Sequence, residues 1–117
     1  MNFINFEVGN NTYKLRLNTR AIVLLEKQLG CNPLNIFMEN GVEKIPTITE
    51  MVSVFHASLQ QYNHGITLND AYDIFDEYLA EGKATTDFIP TILEIYKASG
   101  IIPKDNNEEK GLQVKNA

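Results

Sequence analysis

Apolar and polar residues alternate in two short stretches near the start of the chain, and helical spacing then takes over. Phe3, Ile4, Phe6 and Val8 precede Gly9-Asn10-Asn11, after which Tyr13, Leu15 and Leu17 alternate with Lys14, Arg16 and Asn18. Two such stretches around a Gly/Asn break predict a β-hairpin over residues 3–17. Side chains alternate along a strand, so Tyr13, Leu15 and Leu17 share one face and Lys14 and Arg16 face water. A lone two-stranded ribbon is marginal in water, and its apolar face therefore has to pack on a helix. One follows over about 19–30: Asn18 is placed to cap it, Ala21, Ile22, Leu25 and Leu29 form its buried stripe, and Glu26 and Lys27 fall outside. Gly30 ends this helix and Pro33 blocks its continuation. Leu34 to Met38 add a short helical turn before a loop containing Gly41 and Pro46.

Three more helices carry their own start signals. Thr47 and Glu50 form a capping box for a helix over about 48–62, whose stripe is Ile48, Met51, Val52, Phe55, Leu59 and Tyr62. Asn63, His64 and Gly65 break it. Thr67 and Asp70 repeat the box for a helix over about 68–81, with Leu68, Ala71, Tyr72, Phe75, Tyr78 and Leu79 on its apolar face and an acidic opposite face. The last helix, about 87–99, starts near Thr86 or Asp87 and buries Phe88, Ile89, Ile92, Leu93 and Tyr96; Pro90 is tolerated in its first turn, and Gly100 closes it. The fold class expected is mainly α (α+β), an N-terminal β-hairpin packed on a bundle of about four helices. Residues 1–102 make a single domain, and 103–117, rich in Asn, Glu and Lys, read as a flexible polar tail.

Composition changes this picture by exclusion. A chain of 117 residues suits one domain that buries roughly two thirds of its unfolded surface. With 15 acidic against 10 basic residues the net charge is -5, so no basic surplus is available to displace counterions from a phosphate backbone, and nucleic acid is not an expected partner. The single Cys31 has no internal disulfide partner and reads as a small packing residue in a reducing compartment. The longest apolar runs, such as Ala21 to Leu25, are too short to span a bilayer, and no basic segment followed by an apolar one opens the chain. The expected location is cytoplasmic.

Candidate chemistry is sparse. His56 and His64 lie eight positions apart, which suits neither a helical nor a strand pair of metal ligands. Asp70, Asp73, Asp76, Glu77 and Glu81 crowd one helix without the alternating oxygen ligands and central glycine of a calcium loop, so they read as a solvated face. Ser53 and Ser58 flank His56, yet neither sits in a strained turn that would mark a nucleophile. The glycines are isolated rather than clustered into a phosphate loop. No enzyme activity, metal or cofactor is expected. Val23, Val54, Ile74 and Ile95 lie off the main stripe of their helices; they are candidate surface anchors for a partner, with additional core as the competing reading.

The hairpin followed by Asn18-Thr19-Arg20-Ala21 and Leu24-Leu25-Glu26-Lys27-Gln28-Leu29-Gly30, then a Thr-capped helix and Ile66-Thr67-Leu68-Asn69-Asp70-Ala71, resembles the tail assembly chaperones of long-tailed bacteriophages and prophages of low-GC Gram-positive bacteria. The resemblance covers about residues 3–102, and the segment 103–117 resembles nothing specific. It implies a non-catalytic protein, in the host cell cytoplasm, that binds the helical tape measure protein, promotes tail tube subunits polymerising around it, and is absent from the finished virion. It also implies a longer frameshifted product; Glu108-Glu109-Lys110 fits an adenine-rich run but equally a solvated charged tail. Exposed apolar helical faces suit such binding, and they also suit a homo-oligomer. Two rivals share the composition: a structural head–tail connector or minor tail component that stays in the particle, and an acidic inhibitor of a host protein acting through Asp70, Asp73, Asp76 and Glu77.

Overall fold

In the computed structural model, which describes residues 2–104, the hairpin register follows from the two-residue break. Strand β1 (Ile4–Val8) pairs antiparallel with β2 (Asn11–Leu15), placing Ile4 opposite Leu15, Phe6 opposite Tyr13 and Val8 opposite Asn11. The turn requires Gly9, whose φ of +60° is a conformation that side chains disfavour. Phe6, Val8 and Leu15 are buried and Tyr13 half-buried, so one face of the ribbon is the docking face. The Phe6 ring lies 5.4 Å from Phe55, 5.4 Å from Phe88 and 5.0 Å from Tyr78, which joins the hairpin to three later helices at once.

Those helices are α2 (Ile48–Leu59), α3 (Leu68–Ala80) and α4 (Phe88–Ser99), preceded by α1 (Thr19–Leu29). The fold is the expected hairpin on four helices. Asn18 accepts a hydrogen bond from the Ala21 N–H at 2.9 Å, and Thr47/Glu50 and Thr67/Asp70 form complete capping boxes. Helix α2 is central, packed against α1, α3, α4 and β2. That position explains why Met51, Val52, Ser53, Val54, Phe55, Ala57, Ser58 and Leu59 are all buried; a helix covered on several sides has no polar face to expose. Two ties close the domain. Tyr96, fully buried, donates its hydroxyl to the Pro33 carbonyl at 2.9 Å, and the Leu17 N–H donates to Ser99 Oγ at 2.9 Å.

Several details depart from the periodicity. Helix α2 ends at Leu59, not 62, because side-chain amides take its last carbonyls: Gln60 Nε2 donates to His56 O at 3.0 Å and Asn63 Nδ2 to Leu59 O at 3.1 Å. Helix α4 has no side-chain cap; a 3-10 turn over Thr85–Asp87 feeds it, and Asp87 instead accepts from the Ala84 N–H at 2.8 Å. Arg16 does not simply face water. The chain has left the strand there, its N–H pairs with Ser58 O at 3.0 Å and its guanidinium reaches Gln61 Oε1 at 3.4 Å. The loop around Gly41 contains a second ribbon, β3 (Met38–Glu39) with β4 (Val42–Glu43), turned at Asn40-Gly41 with φ of 53° and 77°. It follows a 3-10 turn over Pro33–Phe37. Ile48, Tyr72 and Leu93, expected in the core, are 47%, 44% and 37% exposed. The tail expected over 103–117 lies outside the described residues beyond 104.

Candidate partner-binding groove

Two of those exposed side chains belong together. Ile48, Thr49 and Val52 on α2 and Tyr72, Phe75, Asp76 and Leu79 on α3 line one groove of about 290 Å³. Its geometry follows from helical spacing: Tyr72, Phe75, Asp76 and Leu79 recur at three and four positions and so form one ridge, as do Ile48 and Val52 opposite. Val52 and Phe75 are buried and make the floor, while Ile48 and Tyr72 stand at the walls. The edge is acidic. Asp73, Asp76 and Glu77 are exposed on α3, so the groove offers apolar surface with negative charge beside it, an arrangement that suits an amphipathic helix with basic residues.

The remaining acids of α3 have local roles. The Glu81 carboxylate accepts the Gly9 N–H, holding the hairpin turn against the end of α3. A Cβ added at Gly9 would sit 2.5 Å from Glu77 Oε2. Asp70 is spent on its cap, and the Thr67 N–H and hydroxyl bonds hold its carboxyl below the usual carboxylate range. Among the described residues no group of three or more His, Cys, Asp or Glu side chains is arranged to hold a metal ion.

The four candidate anchors separate cleanly. Val54 and Ile95 are 0% exposed and are corrected to core: α2 is wrapped by neighbours and α4 packs on α2 and β1. Ile74 is half-buried and packs against the core. Val23 alone is an open surface residue, 44% exposed, in a shallow hollow of about 370 Å³ with Thr19, Arg20, Leu24 and Lys27 on α1. Ile48 and Tyr72 were the residues periodicity concealed, because each sits on a stripe that reads as core.

No catalytic constellation forms around the polar candidates. His56 pairs with Gln28 Nε2 through Nδ1 at 3.1 Å, and burial lowers its pKa despite the opposing influence of a backbone hydrogen bond at Ile66. Ser58 is fully buried and donates to Phe55 O at 2.9 Å. Ser53 is buried, His64 is exposed, and Cys31 is half-buried. Arg16 Nε and the Tyr62 hydroxyl are buried without a hydrogen-bond partner among the described residues. Neither lies beside a nucleophile. No helix among the described residues is long and apolar enough to cross a membrane.

No curated protein and no solved structure matches the chain. A family model does match, and it runs from the first hairpin strand through all four helices to residue 115. Over residues 4–115 the chain thereby belongs to DUF6096, a family of unknown function.

Proposed function

We propose that this protein is a non-catalytic tail assembly chaperone that binds the tape measure protein and promotes tail tube polymerisation in the host cell cytoplasm. The observation that supports the reading best is the open groove of Ile48, Val52, Tyr72, Phe75 and Leu79, apolar inside and acidic at its edge. A long helical partner presents repeated amphipathic stripes, and one small groove per chaperone covers one stripe at moderate affinity until tube subunits replace it. The order of elements along residues 3–102, from hairpin through Thr-capped helices, supports the same assignment.

Co-expression with the very long helical product of a neighbouring reading frame tests it. The soluble fraction of that product should rise with the wild-type chain and fall back with Tyr72→Glu, which places a carboxylate in the groove. An unchanged soluble fraction with the wild-type chain would remove the assignment. The head–tail connector differs by persistence: mass spectrometry of purified particles should find a connector and not a chaperone. Exposed Asp73, Asp76 and Glu77 favour the acidic-inhibitor reading as second choice, which requires host-protein binding that collapses as salt is raised.

A further inference from the structure

We propose that the α2–α3 groove takes helix α1 of a second copy of this chain, head to tail. The two surfaces are complementary in shape and in charge. On α1 the exposed stripe runs Arg20, Val23, Leu24, Lys27, with the apolar pair set between two cations one turn away on either side. On α3 the facing stripe runs Tyr72, Phe75, Asp76, Leu79, with the same three- and four-residue spacing and carboxylates at its edge. Neither Arg20, Lys27 nor Asp76 has an ion-pair partner among the described residues. Each charge is thus available to the other surface, and Val23 supplies an apolar side chain for the groove between Ile48 and Tyr72.

The contact has to be made between copies. Ala21 and Leu25, on the side of α1 away from Lys27, are buried, and α1 packs on α2. Helix α1 is therefore fixed in its own fold and cannot enter its own groove. A contact that joins two different surfaces is heterologous: every copy keeps one free α1 and one free groove, and the series either closes into a ring or extends. An 11-residue helix spans only about 16 Å. One such face buries less than the roughly 800 Å² per partner of a stable interface, so association should depend on concentration and yield to a better-fitting helix. This inference does not require the chaperone assignment; if that assignment holds, a second copy's α1 fills the groove until the partner helix displaces it.

Sedimentation velocity of the full chain tests it, run from about 10 μM to about 1 mM, the range in which weak interfaces become populated. The weight-average mass should rise with concentration and fall as salt is raised. Val23→Glu, carrying a damaged α1 face, and Asp76→Lys, carrying a damaged groove, should each weaken self-association at least ~10-fold. Mixed in equal amounts they should form a heterodimer that grows no further, because the pair shares one intact groove and one intact α1. Lys27→Glu serves as a second α1 variant, and circular dichroism establishes that each variant is folded. A wild-type chain that stays monomeric at the highest concentration overturns the proposal, as does association that neither variant weakens, or a mixture that stays monomeric. Loss of the co-expression effect with wild-type association intact counts against the chaperone assignment alone.

Discussion

Replacing Tyr96 with Phe should destabilise the domain at neutral pH and protect it at alkaline pH. The hydroxyl is fully buried and donates to the Pro33 carbonyl at 2.9 Å. Removing it leaves a buried carbonyl without its donor, a loss of about 1–2 kcal/mol. The same burial, with smaller contributions from Cys31 and Glu50, holds the phenol well above its ordinary value of 10.0. A group whose folded pKa is raised contributes fully below its unfolded pKa; above it the unfolded chain ionises while the folded one does not. Stability is then lost as pH rises from about 10 toward the folded value, at about 1.4 kcal/mol per pH unit. Tyr96→Phe has no such slope. The gap between the two proteins, constant from about pH 7 to about pH 9, should close near pH 11 and then reverse. Urea titrations followed by far-UV circular dichroism measure the gap, and a Cys31→Ser background removes the thiolate. Because the chain lacks Trp, phenolate absorbance gives an unobstructed second readout. Parallel stability curves through pH 11 would mean that Tyr96 ionises inside the native fold, and the account of its burial would fail.

Val54→Asp should unfold the domain, since it places a carboxylate at a 0% exposed site on the central helix, whereas Val23→Glu should stay within about 0.5 kcal/mol of wild type; thermal melts separate the two. Gly9→Ala should cost about 1 kcal/mol from its left-handed backbone alone, and Gly9→Ala combined with Glu77→Ala should recover only what contact with the Glu77 carboxylate adds, as denaturant midpoints will tell. Thr67→Ala, which leaves the Asp70 N–H without its partner, should cost about 1 kcal/mol by the same assay, with the loss matched by Thr47→Ala at the start of α2. Burial lowers the His56 pKa below its ordinary 6.5. Its contribution is complete above that value and is lost as pH falls through it, so His56→Gln should flatten the stability curve on the acid side.

Elements governed by near neighbours in sequence were legible. Asn18, Thr47 and Thr67 cap helices because the donors they satisfy lie two or three residues away, and Gly9 turns the hairpin for reasons local to its own backbone. Solvent exposure was less legible, because periodicity gives the direction of a side chain and not what stands opposite it. Val54 and Ile95 point away from the main stripes and still meet core, since α2 and α4 are covered on more than one side. Ile48 and Tyr72 lie on the stripes and still meet solvent, since no element fills the space between the first turn of α2 and α3. The small ribbon at Met38–Glu43 did carry a signal in Asn40-Gly41, the pair best suited to two successive positive φ angles. Its strands are two residues each, too short for alternation to be read. The groove was illegible for the same reason as Ile48: it is a gap between packed faces.

The bond from the Leu17 N–H to Ser99 Oγ spans 82 positions, and this sets a timetable for synthesis. A chain made at about 5–20 residues per second adds those positions in roughly 4–16 s. Throughout that interval the hairpin is finished but its docking surface is not, and Phe6, Val8 and Leu15 stand beside the growing chain with nothing to cover them. A ribosome that stalls or terminates before α4 therefore releases an open, adhesive ribbon rather than a smaller folded protein.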